Sequence, residues 1–285
     1  MARSFALHQP DSLEQTFSLM HQYEDAHLMA GGTSLMVLLN LGLLELTNVI
    51  ALHRLDALKG IRRTGDGGLE IRALTTHRQA ERSADVQAYC PELAATFAHV
   101  ATVRIRNQAT VGGNLAHADP AQDPPPMLIA LGAQVVIATP TGERSLPLDE
   151  FFVGYLTTVL RSGELVCAVR LPPLPRGTRA VYHKFLPRTQ DDYATVSVGA
   201  TMLLDDAGRC QDVRIALGGA APVPLRPKAV EDALRGEVPT EPRIAEAAAL
   251  VLDLVDPPDD ARGSASYKRQ MARVWTERAL RSLVA

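Results

Sequence analysis

The sequence predicts an α+β protein of more than one subdomain, and three observations carry that expectation. Strand-like and helix-like patterns alternate through the first part of the chain. After a proline-rich break at Pro172–Gly177, three strand-like runs follow one another and helical patterns fill the rest. With 285 residues, the chain is too long for one small core, so two or three subdomains are expected.

The elements follow in order. In Asp11–Glu24, Asp11 or Ser12 can cap a helix whose apolar residues Leu13, Phe17 and Met20 recur at helical spacing. Ala26–Gly32 reads as a short strand ending in glycines, Ser34–Leu44 as a helix and Thr47–Leu55 as a strand. Gly60–Arg82 reads as a hairpin turning at Asp66-Gly67-Gly68, and a helix is expected from about Pro91 to Val103. Ala109–Pro140 reads as a second Gly-Gly loop, a proline-rich bend, a short helix and a strand. Leu165–Pro175 is a strand stopped by its prolines. Arg179–Pro187, Tyr193–Asp205 and Cys210–Ala220 are three antiparallel strands, the last two joined by a turn at Asp205–Gly208. Helices are expected near 228–235, 241–254 and 264–282. In the last, Tyr267, Met271, Val274 and Trp275 form an apolar stripe that reads as core. Arg262, Lys268, Arg269, Arg273, Arg278 and Arg281 surround it, as a solvated face or a dock for an acidic partner. The expected divisions are 1–58, 59–176 and 177–285.

Composition excludes several classes. The chain is 46% hydrophobic and 21% charged, as in ordinary soluble proteins, and its formal charge of −3 offers no basic field for nucleic acid. Cys90, Cys167 and Cys210 are far apart and form no C-x-x-C pair, so buried thiols in a reducing compartment are expected, not a zinc or iron–sulfur site. The N-terminal segment Met1–Gln15 has no signal-peptide core. The longest apolar run, Leu35–Leu46, is interrupted by Asn40 and Glu45 and is too short to cross a bilayer. A cytoplasmic protein without stable membrane insertion is expected.

Ala30-Gly31-Gly32-Thr33-Ser34 opens a helix-like run. Gly-Gly before a helix can be a plain turn. It can also be an anion cradle, in which side-chain-free backbone N–H groups converge and the helix N-terminus adds about half a positive charge. Thr110-Val111-Gly112-Gly113-Asn114 repeats that chemistry, and two such segments could grip one diphosphate from both sides. There is no G-x-G-x-x-G with a following acid, no G-x-x-x-x-G-K-[ST] and no G-x-S-x-G. His117 and Asp119 are two candidate metal ligands without a third. Asp123, among prolines, is a solvated carboxylate, a cap for Pro124–Leu131, or a partner for a ligand hydroxyl.

Ala30–Leu35 and Thr110–Asp123, with Ile105–Asn114, Glu164–Pro172 and Tyr182–Ala200, resemble the FAD-carrying middle subunit of molybdenum hydroxylases, the carbon monoxide dehydrogenase and xanthine dehydrogenase family. The resemblance covers essentially the whole chain. It implies the two-part FAD-binding fold of the vanillyl-alcohol oxidase (PCMH) type, followed by a C-terminal α+β domain with a three-stranded antiparallel sheet and helices. It implies that Leu28, Met29, Ala30, Gly31, Gly32, Thr33, Ser34 and Leu35, with Thr110, Val111, Gly112, Gly113 and Asn114, hold the pyrophosphate. Asp123 matches an FAD-contacting aspartate, and Val166 and Lys184 match positions lining the flavin. Tyr193 matches a tyrosine near the isoalloxazine, or else is a strand-edge core residue.

The function so implied is that of an FAD-dependent electron-transfer subunit with no catalytic acid–base pair of its own. [2Fe–2S] clusters would sit in a small partner subunit and the molybdopterin cofactor in a large one, in a dimer of heterotrimers. Electrons would leave through FAD to an external acceptor. A self-contained FAD oxidase or dehydrogenase, and an assembly subunit that has lost FAD, are the alternatives.

Overall fold

The N-terminal elements form a small parallel sheet. In the computed structural model, which describes residues 4–186, 189 and 191–285, they are β1 (Ala6–His8), α1 (Leu13–Gln22), β2 (His27–Met29), α2 (Thr33–Asn40) and β3 (Asn48–Ala51). Met1–Arg3 of the N-terminal segment, and Pro187, Arg188 and Gln190 of the Tyr182–Ala200 stretch, lie outside the described residues. The strand order is β1-β3-β2, all parallel. Ser12, not Asp11, caps α1, its Oγ accepting the Gln15 N–H at 3.1 Å. The helix expected to reach Leu44 stops at Asn40, where Leu41 and the left-handed Gly42 (φ 69°) close it.

The middle of the chain builds a five-stranded antiparallel sheet from β4 (Ile61–Arg63), β5 (Leu69–Arg72), β6 (Gln134–Thr139), β7 (Gly142–Pro147) and β10 (Leu165–Leu171), in the order β4-β5-β10-β6-β7. Between β5 and β6 run α3 (His77–Arg82), α4 (Ala84–Tyr89), α5 (Pro91–Ala98), α6 (Val103–Arg106), α7 (Val111–His117) and α8 (Pro124–Ala130). A small hairpin, β8 (Phe152–Gly154) with β9 (Thr157–Thr158), precedes β10. Leu165, Cys167 and Ala168 of β10 pack toward the N-terminal sheet with Ile50 and Leu52. Val166, Val169 and Leu171 pack toward α5, α7 and α8 through Phe97, Leu115 and Leu128. The central strand is therefore apolar on both faces, which is why Leu165–Leu171 is an almost unbroken apolar run.

The third part holds β11 (Arg179–Phe185), β12 (Val196–Leu204) and β13 (Cys210–Gly218), antiparallel in that order, with α9 (Lys228–Leu234), α10 (Glu241–Ala249) and α11 (Ala265–Val284). On α11 the expected core stripe is displaced. Lys268, Ala272, Thr276, Ala279, Leu280 and Leu283 are buried, whereas Tyr267 is 41% exposed and Met271, Val274 and Trp275 are half-buried. Small Ala residues let the long helix lie close to β12, and the large side chains flank the contact, Trp275 stacking on Phe185. Nor is the basic stripe uncompensated. Arg262 and Lys268 bind Asp260, Arg273 and Arg281 bind Glu277, and Arg278 lies over the Trp275 ring.

α8 joins the middle and third parts. All seven of its residues are buried, and its first turn is Pro124-Pro125-Pro126. A buried helix N-terminus normally strands N–H donors, and three prolines have none to strand. β12 comes so near that a Cβ at Gly199 would stand 2.7 Å from the Met127 N and Cα atoms. Gly199→Val should therefore lower stability by about 1–3 kcal/mol or more. Urea denaturation checks this, and an unshifted midpoint would contradict the contact.

Candidate functional site

β2 ends at Met29, and the chain turns through Ala30 and Gly31 into Gly32, which adopts a left-handed conformation (φ 72°) as the residue capping α2. That conformation strains any residue with a side chain. Gly31 has a different reason to be glycine: a Cβ there would lie 2.0 Å from the Gln108 carbonyl oxygen and 3.1 Å from the Ala109 Cα. Among the described residues, the N–H groups of Gly31, Gly32, Thr33, Ser34 and Leu35 make no hydrogen bond within the chain, and neither do the Thr33 and Ser34 hydroxyls. Five unpaired donors thus stand together at the positive end of a two-turn helix, an arrangement suited to a phosphate or diphosphate.

The second glycine segment lies against the first, but it is not a loop. Thr110 caps α7, its Oγ1 accepting the Gly113 N–H at 3.2 Å. The Val111 N–H donates to Thr75 O at 2.9 Å and the Gly112 N–H to Ala73 O at 2.8 Å. The Asn114 N–H closes the first helical turn on Thr110 O. The two-sided cradle of N–H groups expected from the sequence is therefore one-sided, because only the first segment has donors to spare. The second segment's glycines permit packing. A Cβ at Gly112 would stand 2.5 Å from the Ala73 Cβ, and one at Gly113 would stand 2.8 Å from Thr110 Oγ1 and 3.3 Å from the Ala30 Cβ. What this segment does offer is the Asn114 carboxamide, whose buried Oδ1 has no partner.

Leu28 and Met29 belong to β2, where they hold the segment in the sheet, and Leu35 is half-buried on α2. Val166, on β10, is buried in the same core as Val111 and Leu115. Asp123 is neither solvated nor a cap. It is 5% exposed, and the prolines after it leave no N–H to cap. Its Oδ1 accepts the Tyr182 hydroxyl at 2.6 Å and its Oδ2 accepts the Lys184 ammonium at 3.0 Å, while the same ammonium donates to His99 O at 2.9 Å. Burial pushes the Asp123 carboxyl up to about 6, although the Lys184 charge and the Tyr182 and Lys184 hydrogen bonds pull it down. Tyr193 is not a strand-edge core residue. It precedes β12 in an irregular stretch, 40% exposed, with the Arg262 guanidinium 5.9 Å from its ring centre. His117 and Asp119 gather no third ligand, and no cluster that could hold a metal exists among the described residues.

The backbone of Gln108 and Ala109, the Ala73 carbonyl and Tyr182 carry no local sequence signal, apart from Tyr182 sharing a strand face with Lys184. His77 was equally hidden. Its N–H donates to Ala109 O at 2.9 Å, its ring stacks on Phe97, and burial pushes the imidazole down to about 4, so it is neutral.

Two family descriptions together match nearly all of the chain. "FAD binding domain in molybdopterin dehydrogenase" matches residues 3–174, and "CO dehydrogenase flavoprotein C-terminal domain" matches residues 181–283. The carbon monoxide dehydrogenase medium chain of Hydrogenophaga pseudoflava is 34% identical over 277 residues, 97% of this chain and 96% of that one. Subunit alpha of the 6-hydroxypseudooxynicotine dehydrogenase complex of Paenarthrobacter nicotinovorans is 34% identical, over 95% of this chain and 91% of that one. Among solved structures, carbon monoxide dehydrogenase from Hydrogenophaga pseudoflava, in a form lacking the Mo-pyranopterin moiety, superimposes with a TM-score of 0.95 at 35% identity, covering 99% of this chain and 98% of that one.

The Asp123 carboxyl gives a pH prediction. An unfolded aspartate ionises near pH 3.9, so between about pH 4 and about pH 6 the folded state holds the extra proton and stability falls as pH rises. Lys184→Met removes the charge that lowers this carboxyl's pKa, so the falling window should extend to higher pH. Urea midpoints measured across pH 4–8, read with the carboxyl C=O infrared band, check the sign.

Proposed function

This chain belongs to the FAD-binding medium subunits of the molybdenum hydroxylases, and from that premise we propose that it relays electrons between an iron–sulfur partner and an external acceptor. The single observation that supports the cofactor assignment is the group of five unpaired N–H donors at the start of α2, closed in by the backbone of Gln108–Ala109. That group fits a diphosphate in sign and in hydrogen-bonding capacity.

In this reading Gly31–Leu35 bind the FAD pyrophosphate, with the Thr33 and Ser34 hydroxyls as further donors. Leu28, Met29 and Ala30 on one side and Thr110–Asn114 on the other shape the groove, and the unpartnered Asn114 Oδ1 accepts a ligand hydroxyl. Val166 supplies apolar wall, and Tyr193 stands toward the isoalloxazine. Asp123 and Lys184, fixed against each other and by Tyr182, keep a positive ammonium and a titratable carboxyl at a set position between the second and third parts. FAD when bound supplies a carrier that takes up and gives out electrons singly or in pairs. The chain's residues bind it, orient it and set its electrostatic surroundings. The segments 1–58 and 59–176 are the two halves of the cofactor fold, and 177–285 is the third part. A small subunit with [2Fe–2S] clusters and a large one with the molybdopterin cofactor complete the complex, as a dimer of heterotrimers.

Purification of the complex from its native host, with identification of the co-purifying chains and cofactors, tests the reading. A flavin-free complex, or a flavin-containing chain that purifies alone, would overturn it. Within the complex, Gly31→Val should cut FAD content to a small fraction of one per chain. Ser34→Ala should weaken FAD affinity about ten- to hundredfold, as loss of a hydrogen bond to a charged group costs about 1.5–3 kcal/mol. Flavin absorbance and equilibrium dialysis measure these effects, and wild-type flavin content in Gly31→Val would sink the assignment.

A further inference from the structure

Between α5 and α6 the chain passes through Ala101 at φ 38°, in the left-handed region that alanine avoids because its Cβ crowds the following carbonyl oxygen. A residue with a side chain keeps that conformation only where its surroundings impose it. Here two cations impose it. The Lys184 ammonium donates to the His99 carbonyl at 2.9 Å, and Arg106 Nη1 donates to the Val100 and Ala101 carbonyls at 3.0 and 2.8 Å. Three successive carbonyl oxygens are thus held by charged side chains.

The helix after this loop has little else to fix it. α6 is a single turn, and none of its four residues is buried. Val103 and Ile105 turn toward solvent, 46% and 38% exposed. One turn of helix without a buried face does not hold itself. Arg106 supplies the anchor. Its side chain is only 13% exposed, and its Nε donates to Glu81 Oε2 on α3 at 3.0 Å. One planar guanidinium therefore ties α6 to α3 and to the Val100 and Ala101 carbonyls at once, which the single nitrogen of a lysine does not match. The Gln108 and Ala109 N–H groups both donate to Ile105 O, at 3.0 and 2.7 Å, so the end of α6 places these two residues. The Gln108 carbonyl is the group that a Cβ at Gly31 would meet.

We propose that Arg106 is a positioning residue for the FAD pyrophosphate: it holds Ala101 in its left-handed conformation and so sets the Gln108–Ala109 backbone against Gly31. The inference rests on the FAD reading above. The guanidinium acts through the backbone it holds. Without it Ala101 relaxes to a negative φ, α6 loses its tie to α3, and the donors at the start of α2 lose the backbone that closes them in.

The test compares single and double variants in the intact complex. Arg106→Met should weaken FAD about tenfold in equilibrium dialysis. It should also speed hydrogen exchange at the Asn107–Ala109 amides, whose bonds lie within the anchored turn. Adding Ala101→Gly should return FAD affinity to within about threefold of wild type, because glycine takes a positive φ without being held there. An ion pair with no positioning role gives no reason for rescue by a glycine at 101. Arg106→Lys, which keeps the charge but not the fork, should lose about threefold, and it carries the same comparison where Arg106→Met does not assemble. Unchanged FAD affinity in these Arg106 variants, or a loss that Ala101→Gly leaves in place, overturns the proposal. A wild-type complex without flavin fails the earlier reading instead. Amide exchange then still tests Arg106, and unchanged rates in Arg106→Met overturn its role.

Discussion

The structure depends on a backbone-to-backbone contact between Gly31 and Gln108–Ala109. A methyl group at Gly31 would sit 2.0 Å from a carbonyl oxygen, closer than any atom can approach, so only glycine allows the two chain segments to meet. That contact brings the N-terminus of α2, with its unpaired donors, against the segment that leads into α7. Ala30 then lies beside Gly113, and Gly112 beside Ala73, so four small residues from three separate stretches share one seam. Any larger side chain there would part the N-terminal sheet from the helices that cover the five-stranded sheet, and the donors would lose their enclosure.

A second seam, between the middle and third parts, is solved by different chemistry. Here the problem is polar burial, not volume. A helix that starts deep inside the protein would leave amide donors unmet, and the three prolines at the start of α8 remove them. The one carboxylate at that helix start, Asp123, finds both its partners on β11, so the ion pair and the tyrosine bond cross from one part of the chain to the other. Breaking one partner of such a buried pair leaves an uncompensated charge, so the pair fixes how the two parts sit together.

These two seams lie along one path. The glycine contact is at the start of α7, and Asp123 and α8, which hold the third part in place, follow its end.

The capped helix α1, the strand β10 and the three-stranded C-terminal sheet were legible in the sequence, because periodicity, caps and prolines act locally; the short helices α3, α4, α6 and α7 were not, His77–Arg82 having read as hairpin and Val111–His117 as loop. Ser12 at the start of α1, Asp66-Gly67-Gly68 in the hairpin and the Asp205–Gly208 turn each carry their own signal. The importance of Gly31 and Gly32 was legible too, since paired glycines ahead of an apolar run are a local pattern. What each glycine does was not. Whether Gly112 offers its N–H to a ligand or donates it to Ala73 depends on where a strand some forty residues earlier ends. Whether Asp123 is solvated depends on β11, far along the chain, and the face of α11 that is buried depends on how closely β12 approaches. Local backbone preferences are written residue by residue, but the environment of a side chain is set by the segments that tertiary packing brings beside it, and only the folded structure decides those.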